Sequence, residues 1–206
     1  MLKKILIGVP VVLLLVVALF ASVVAMQPDE FKITRSATMG APPEKVFEQV
    51  NDFHKWNGWS PWLALDPEAK NTFAGPTEGK GAKFAWNGND KVGEGHMTIL
   101  DSQPNELVSI DLVFVRPMED QALTEFTFQP VGDQTNITWT MSGKHNFMSK
   151  AMCMFMNMDK MLGGDFEKGL AKMKQVVETE SDQSPTEELG SKEVESKESE
   201  AADSAE

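Results

Sequence analysis

Between Asn146 and Val177, apolar residues recur three or four positions apart: Phe155, Met158, Leu162, Phe166, Leu170, Met173 and Val177. That spacing predicts one long C-terminal helix with a single apolar face. Lys150, Lys160, Glu167, Lys168, Lys172 and Lys174 fill other positions. The first half is greasier than one stripe requires, because Met148, Met152, Met154, Met156 and Met161 spread round the helix. Gly163-Gly164 interrupts the run. Each Gly costs about 1 kcal/mol relative to Ala in a helix interior. The pair therefore marks a kink, a close approach to a strand, or space left for a ligand.

Upstream the period changes from helical to alternating. In Phe31–Met39, Ile33, Arg35, Ala37 and Met39 alternate with polar residues, which predicts a first strand. Pro42-Pro43-Glu44 opens a short helix with Val46, Phe47 and Val50 on its apolar face, ended by Asn51-Asp52. In Phe53–Trp62, Trp56, Trp59 and Trp62 are spaced by three, with Gly58 and Pro61 between, which predicts a tight helical turn. Its indoles cap the end of the core, or one or two of them line a cavity mouth. Six more strands follow at Asn71–Ala74, Ala82–Trp86, Val92–Asp101, Leu107–Arg116, Ala122–Gln129 and Thr135–Ser142, with a strong turn signal at Asn87-Gly88-Asn89-Asp90. Short connections imply an antiparallel meander, and its apolar face needs a helix over it. The fold class is α+β: a curved, seven-stranded antiparallel sheet around a long C-terminal helix.

Both ends of the chain differ from this body. Ile5–Met26 is 22 residues without a charge, about 33 Å as a helix and enough to cross a bilayer. Lys3 and Lys4 precede it, and Asp29 and Glu30 follow. The bias predicts a single-pass anchor over residues 1–27, with the amino terminus cytoplasmic and the domain on the extracytoplasmic side. The alternative is a signal peptide cut near Val23-Val24-Ala25 and a secreted domain, although the run exceeds the usual h-region of roughly 7–15 residues. Residues 31–177 form the folded domain. Residues 178–206 carry a net charge of −9 out of −12 for the chain, leaving −3 for the rest, and read as a disordered acidic tail.

A near-neutral body with only Arg35 and Arg116 as guanidinium sources excludes nucleic acid as a partner. One cysteine, Cys153, permits no internal disulfide, and there is no Tyr. The loop Gly75–Gly81 lacks the spacing, and the hydroxyl after Lys80, that a phosphate loop requires. His54, His96 and His145 stand apart from one another without ligand spacing, so no metal is expected, and no cofactor motif is present. The methionines around Cys153 read as adaptable packing rather than copper ligands. No nucleophile elbow or nucleophile–base pair stands out, so no catalytic residue is assigned.

The order strand, two short helices, six strands and long C-terminal helix resembles the START/Bet v1-like superfamily with its helix-grip fold. The stretches APPEKVFEQVNDFHKWNGWSPW, GPTEGKGAKFAWNGN, VGEGHMTI and MNMDKMLGGDFEKGLAKMK resemble a membrane-anchored bacterial group within its polyketide cyclase/dehydrase-like branch. The resemblance covers Phe31–Val177. It implies a hydrophobic cavity, which the superfamily turns to lipid carriage, hormone binding, cyclisation or chaperone activation. Fold analogy alone does not choose among these. The leading expectation is a membrane-tethered domain that binds a hydrophobic small molecule or lipid between sheet and helix. Trp86, Phe114, Phe126, Phe128, Trp139, Phe155, Met158 and Leu162 are the expected lining, with Trp59 near the mouth. An enzyme of polyketide cyclase/dehydratase type would need Arg35, His96 or Asp111 inside the cavity. A protein-interaction module would need a large exposed apolar patch.

Overall fold

The structure, a computed structural model, describes the backbone of residues 2–183 and the side chains of 11–63 and 65–180. The alternating segments form one antiparallel sheet of seven strands: β1 (Glu30–Met39), β2 (Lys70–Ala74), β3 (Lys83–Asn87), β4 (Glu94–Gln103), β5 (Leu107–Arg116), β6 (Asp120–Val131) and β7 (Gln134–Lys144). Their spatial order is β1-β7-β6-β5-β4-β3-β2. Strands β2 to β7 therefore run as a meander, and β1 closes onto the last strand. Its register pairs Ile33 with Met141 and Ala37 with Ile137. This places the apolar parity of both strands on one face.

Helix α2 (Pro43–Asn51) buries Val46, Phe47 and Val50 against that face. Its last-turn carbonyls find donors in the tryptophan segment. Trp56 Nε1 donates to Val50 O at 3.0 Å, and Trp59 Nε1 donates to Gln49 O at 2.9 Å. The three-residue spacing folds as a 3-10 turn over Phe53–Gly58, so one residue in three faces the core and two indoles also finish the preceding helix.

The C-terminal run is two helices rather than the single one its periodicity predicts: α3 (Phe147–Cys153) and α4 (Met158–Gln183). Each begins at an asparagine. Asn146 Oδ1 accepts from Ser149 N at 2.8 Å, and Asn157 Oδ1 accepts from Lys160 N at 2.9 Å. Asn157 restarts the helix, and the chain turns at 154–157. The apolar stripe holds from Phe166 onward. Phe166, Leu170, Met173 and Val177 are all buried under the sheet. It fails at the break, where Phe155 is 78% exposed.

The double glycine does not break the helix. A Cβ on Gly163 would lie 2.0 Å from Arg35 Nη2, whereas one on Gly164 would meet nothing within 4 Å. Gly163 is thus the close approach to a strand, here β1. α4 runs on to Gln183, beyond the expected end at Val177, and the rest of the expected acidic tail, 184–206, lies outside the described residues.

The N-terminal run is α1 (Leu2–Ala25). Among the described residues no helix is long and apolar enough to cross a membrane; described side chains begin at Val11, part-way along the uncharged run. Phe20 of α1 stacks on Phe155 with ring centroids 6.5 Å apart. Lys150 of α3 forms a close ion pair with Asp29, just before β1.

Candidate functional site

Between the concave face of the sheet and the N-terminal part of α4 lies a cavity of about 320 Å³. Strands β3 to β5 supply Phe84, Trp86, Met97, Leu112 and Phe114 to its wall. Thr124 of β6, with Trp139 and Met141 of β7, forms its floor, and Leu162 closes it from α4. Trp56, Ser60, Trp62 and Leu63 come from the tryptophan segment. Charge collects at the end formed by the β3–β4 connection, with Asp66, Asp90, Lys91 and Arg116. Arg116 is held there: its Nη2 donates to Gly88 O at 2.7 Å, and Asp90 and Glu94 carboxylates lie 3.7 Å from its guanidinium.

Strand parity explains the wall. Met97, Leu112 and Phe114 share the inward phase of β4 and β5, and Ala122, Thr124, Phe126 and Phe128 share that of β6. Trp86 is placed by a missing side chain. A Cβ on Gly95, directly across β4, would fall 2.6 Å from the Trp86 ring. The Trp86 indole donates to Val92 O at 3.0 Å, which fixes its orientation. Trp139 lies flat on Phe166, with centroids 4.1 Å apart and planes at 4°, and meets Trp62 edge-on at 5.7 Å.

Of the nine residues expected around a ligand, Trp86, Phe114, Trp139 and Leu162 line this cavity. Trp59, expected at the mouth, is instead fully buried beneath the floor, because its indole caps α2. Phe126 and Phe128 lie in the packed core. They have the inward parity, but Trp59 and α2 cover their end of the sheet: Phe126 meets Trp59 at 6.2 Å and Phe128 meets Phe47 at 5.5 Å. Phe155 and Met158 belong to the break before α4 and its first residue, away from the lining. The periodicity of the run did not carry Thr124, Met97, Leu112, Met141 or Trp62 into the expected set. Thr124 was visible as the one hydroxyl in the inward row of β6.

The three ionisable candidates for catalysis are placed elsewhere. His96 and Asp111 have outward parity, and Asp111 accepts from Gln121 Nε2 at 2.6 Å. Arg35 points inward but is taken up by α4. Its Nε donates to Glu167 Oε1 at 2.7 Å, and its Nη1 and Nη2 donate to the Asp159 carboxylate at 3.2 and 3.1 Å. Hydrogen bonds to Asp159 and Glu167 raise Arg35 above its ordinary value, and the bond from Arg35 holds the Asp159 carboxyl below its own. Burial pushes the Cys153 thiol up, which disfavours a thiolate. Among the described residues no group of three or more His, Cys, Asp or Glu could hold a metal ion.

A curved sheet gripping a helix over an apolar hollow defines a class of ligand-holding α+β domains. The chain belongs to the polyketide cyclase / dehydrase and lipid transport family, whose pattern residues 30–178 match. The START/Bet v1-like resemblance thus holds over the whole folded domain. Among solved structures it is similar to protein MLL2253 from Mesorhizobium loti, at 18% identity and TM-score 0.54, covering 72% of this chain and 98% of that one. SA2116 from Staphylococcus aureus, a protein of unknown function, gives 15% identity and TM-score 0.54, with 75% and 98% covered. TTHA0849 from Thermus thermophilus gives 15% identity and TM-score 0.52, with 73% and 99% covered. At such identities the likeness shows the fold alone. No curated protein matches the sequence.

Proposed function

We propose that this chain is a membrane-tethered domain that holds a hydrophobic small molecule or lipid between its sheet and C-terminal helix. The observation that carries the reading is the cavity itself. It is bounded mostly by aromatic and aliphatic side chains, with its charges at one end. Its 320 Å³ lies near the lower end of small-molecule sites, roughly 300–1,000 Å³. One compact apolar molecule or a single acyl chain suits it better than a two-chain lipid. Burial of the ligand drives binding, at about 25 cal/mol for each apolar Å² removed from water. Native mass spectrometry after gentle extraction tests it. A retained ligand, or uptake of an added apolar fluorophore, is expected. A chain that is always empty and takes up no fluorophore overturns the reading.

The tether is supported by the uncharged run Ile5–Met26 and by a second apolar surface beside it. Phe147, Met148, Met152, Met154, Phe155 and Met156 are exposed on α3 and the turn after it. Phe155 meets α1 at Phe20, five residues before the end of that helix at Ala25. At 1.5 Å per residue that is about 7–8 Å along the axis. Helices lying in a membrane interface bury their apolar faces by about 5–10 Å. A patch of this size also suits a protein partner. Its continuity with α1 favours the bilayer. Resistance of the full chain to alkaline extraction, with protease reaching the domain only from the extracytoplasmic side, is the expected result. Release into the soluble fraction, with a cut near Ala25, would establish the secreted alternative instead.

A cyclase or dehydratase reading draws no support from Arg35, His96 or Asp111, which stand outside the lining.

A further inference from the structure

The cavity lining carries two hydroxyls, those of Ser60 and Thr124. The Thr124 oxygen is sealed among its neighbours and reaches no open space. Ser60 differs. Its backbone N–H donates to Trp56 O at 2.8 Å, but among the described residues its hydroxyl makes no hydrogen bond. The fully enclosed side-chain oxygens and nitrogens without a partner are those of Thr124, Trp139 and His145, and the Ser60 oxygen is not among them. It therefore keeps accessible surface, on a residue that is 4% exposed and lines the hollow. That surface opens onto the cavity. Buried polar groups in native proteins are paired, and an unmade bond in apolar surroundings is costly. A guest of the cavity is the group that can pair this one.

The sequence locks the hydroxyl in place. The bond to Trp56 O fixes the Ser60 backbone at the end of the 3-10 turn. Pro61 follows and holds the residue before it to extended backbone. Pro61 is itself wedged against α4, where a Cβ on Gly169 would lie 3.2 Å from its Cδ. Trp56, Trp62 and Leu63 of the same segment line the hollow beside Ser60. None of them brings a charge. The charged lining residues are engaged elsewhere or exposed: Asp66 Oδ2 accepts from Asn89 N at 2.7 Å, Arg116 donates to Gly88 O, and Asp90 and Lys91 face solvent. An ion at Ser60 would lack a paired charge, which costs far more than burying a neutral group. A serine hydroxyl donates or accepts, so it meets a ketone, an alcohol or an amide equally well.

We infer that Ser60 is the polar anchor of the cavity, and that the ligand presents to it one neutral hydrogen-bonding group on an otherwise apolar body. The inference rests on the cavity reading and narrows it from any greasy molecule to one with such a group.

A matched pair of ligands separates the two readings. 2-Acetylnaphthalene and 2-ethylnaphthalene share a skeleton and differ in the carbonyl. Their dissociation constants are measured on the full chain in lipid nanodiscs, for the native protein, Ser60→Ala and Thr124→Val. Empty nanodiscs supply the background. The native protein is expected to prefer the ketone. Ser60→Ala should cut that preference roughly three- to tenfold, the size of one neutral hydrogen bond, and leave affinity for the hydrocarbon little changed. Thr124→Val, which removes the sealed hydroxyl, should leave the preference as it is. The bound ketone should also show a lowered carbonyl stretch that returns upward in Ser60→Ala alone, a signal that a purely structural role would not move. The Ser60 oxygen holds nothing in the fold, so the unfolding midpoint of Ser60→Ala is expected to match the native one. Equal binding of both compounds, or a preference and stretch unchanged by Ser60→Ala, overturns the anchor while leaving the container intact. Binding of neither compound overturns both.

Discussion

The adjacent glycines of α4 should respond in opposite directions to one added methyl group. A Cβ at Gly164 meets nothing within 4 Å. Gly164→Ala therefore gains helix propensity, about 1 kcal/mol, with no clash to offset it. For a domain of this size that raises the unfolding temperature by about 2–4 °C. At Gly163 the same methyl would sit 2.0 Å from Arg35 Nη2 and 2.4 Å from Cζ. The guanidinium is the far end of a flexible chain, so it moves and the helix stays. Moving it takes away its bonds to Glu167, to the Asp159 carboxylate and carbonyl, and to Thr34 O together. We expect Gly163→Ala to fall below the native protein despite its equal propensity gain.

A cycle with Arg35→Ala isolates the cause. With the guanidinium gone, the space beside Gly163 is empty, and Gly163→Ala should then stabilise by about 1 kcal/mol, as Gly164→Ala does. Thermal unfolding of the full chain, followed by tryptophan fluorescence, reads all five proteins on one scale. If Gly163→Ala stabilises the native background as much as Gly164→Ala, or if its effect ignores Arg35, the close approach is not what that glycine serves.

Phe166 is fully buried and stacked on Trp139; Phe166→Ala should cost about 3–5 kcal/mol in denaturant unfolding and expose the Trp139 emission to water. Leu162→Trp should fill the cavity, abolish uptake of an apolar fluorophore and cost less than the roughly 1–3 kcal/mol of overpacking a solid core; a loss above that range with binding retained means the space is occupied by packing. Asp159 is held below its ordinary value by Arg35. A depressed carboxyl stabilises fully above its unfolded value, and that contribution disappears as pH falls through the folded one. Asp159→Asn should therefore unfold more easily than the native chain at pH 7, with the gap closing in acid below the usual carboxylate range. Finally, an environment-sensitive dye at Phe155→Cys, in a Cys153→Ser background, should shift to the blue when the full chain enters vesicles, and one at Asp90→Cys should not; equal spectra would take the bilayer away from α3.

The sheet was legible because alternation is a local property. All seven strands fall within a few residues of their expected bounds, and β5 ends where its pattern ends, at Arg116. The second half of α4 was legible for the same reason at period 3.6. The break before it was not. Every residue from Met152 to Met158 except Asn157 is apolar or sulfur-bearing, so the periodicity runs through the turn unmarked, and one capping side chain decides the matter. Parity also told which strand residues face inward. It could not tell which inward residues stay uncovered. Phe126 and Phe114 have equivalent phases, yet Phe126 is sealed by Trp56, Trp59 and Trp139, while Phe114 looks into the hollow. The difference is set by where α2 and the 3-10 turn come to rest, and that depends on contacts between segments far apart in the chain.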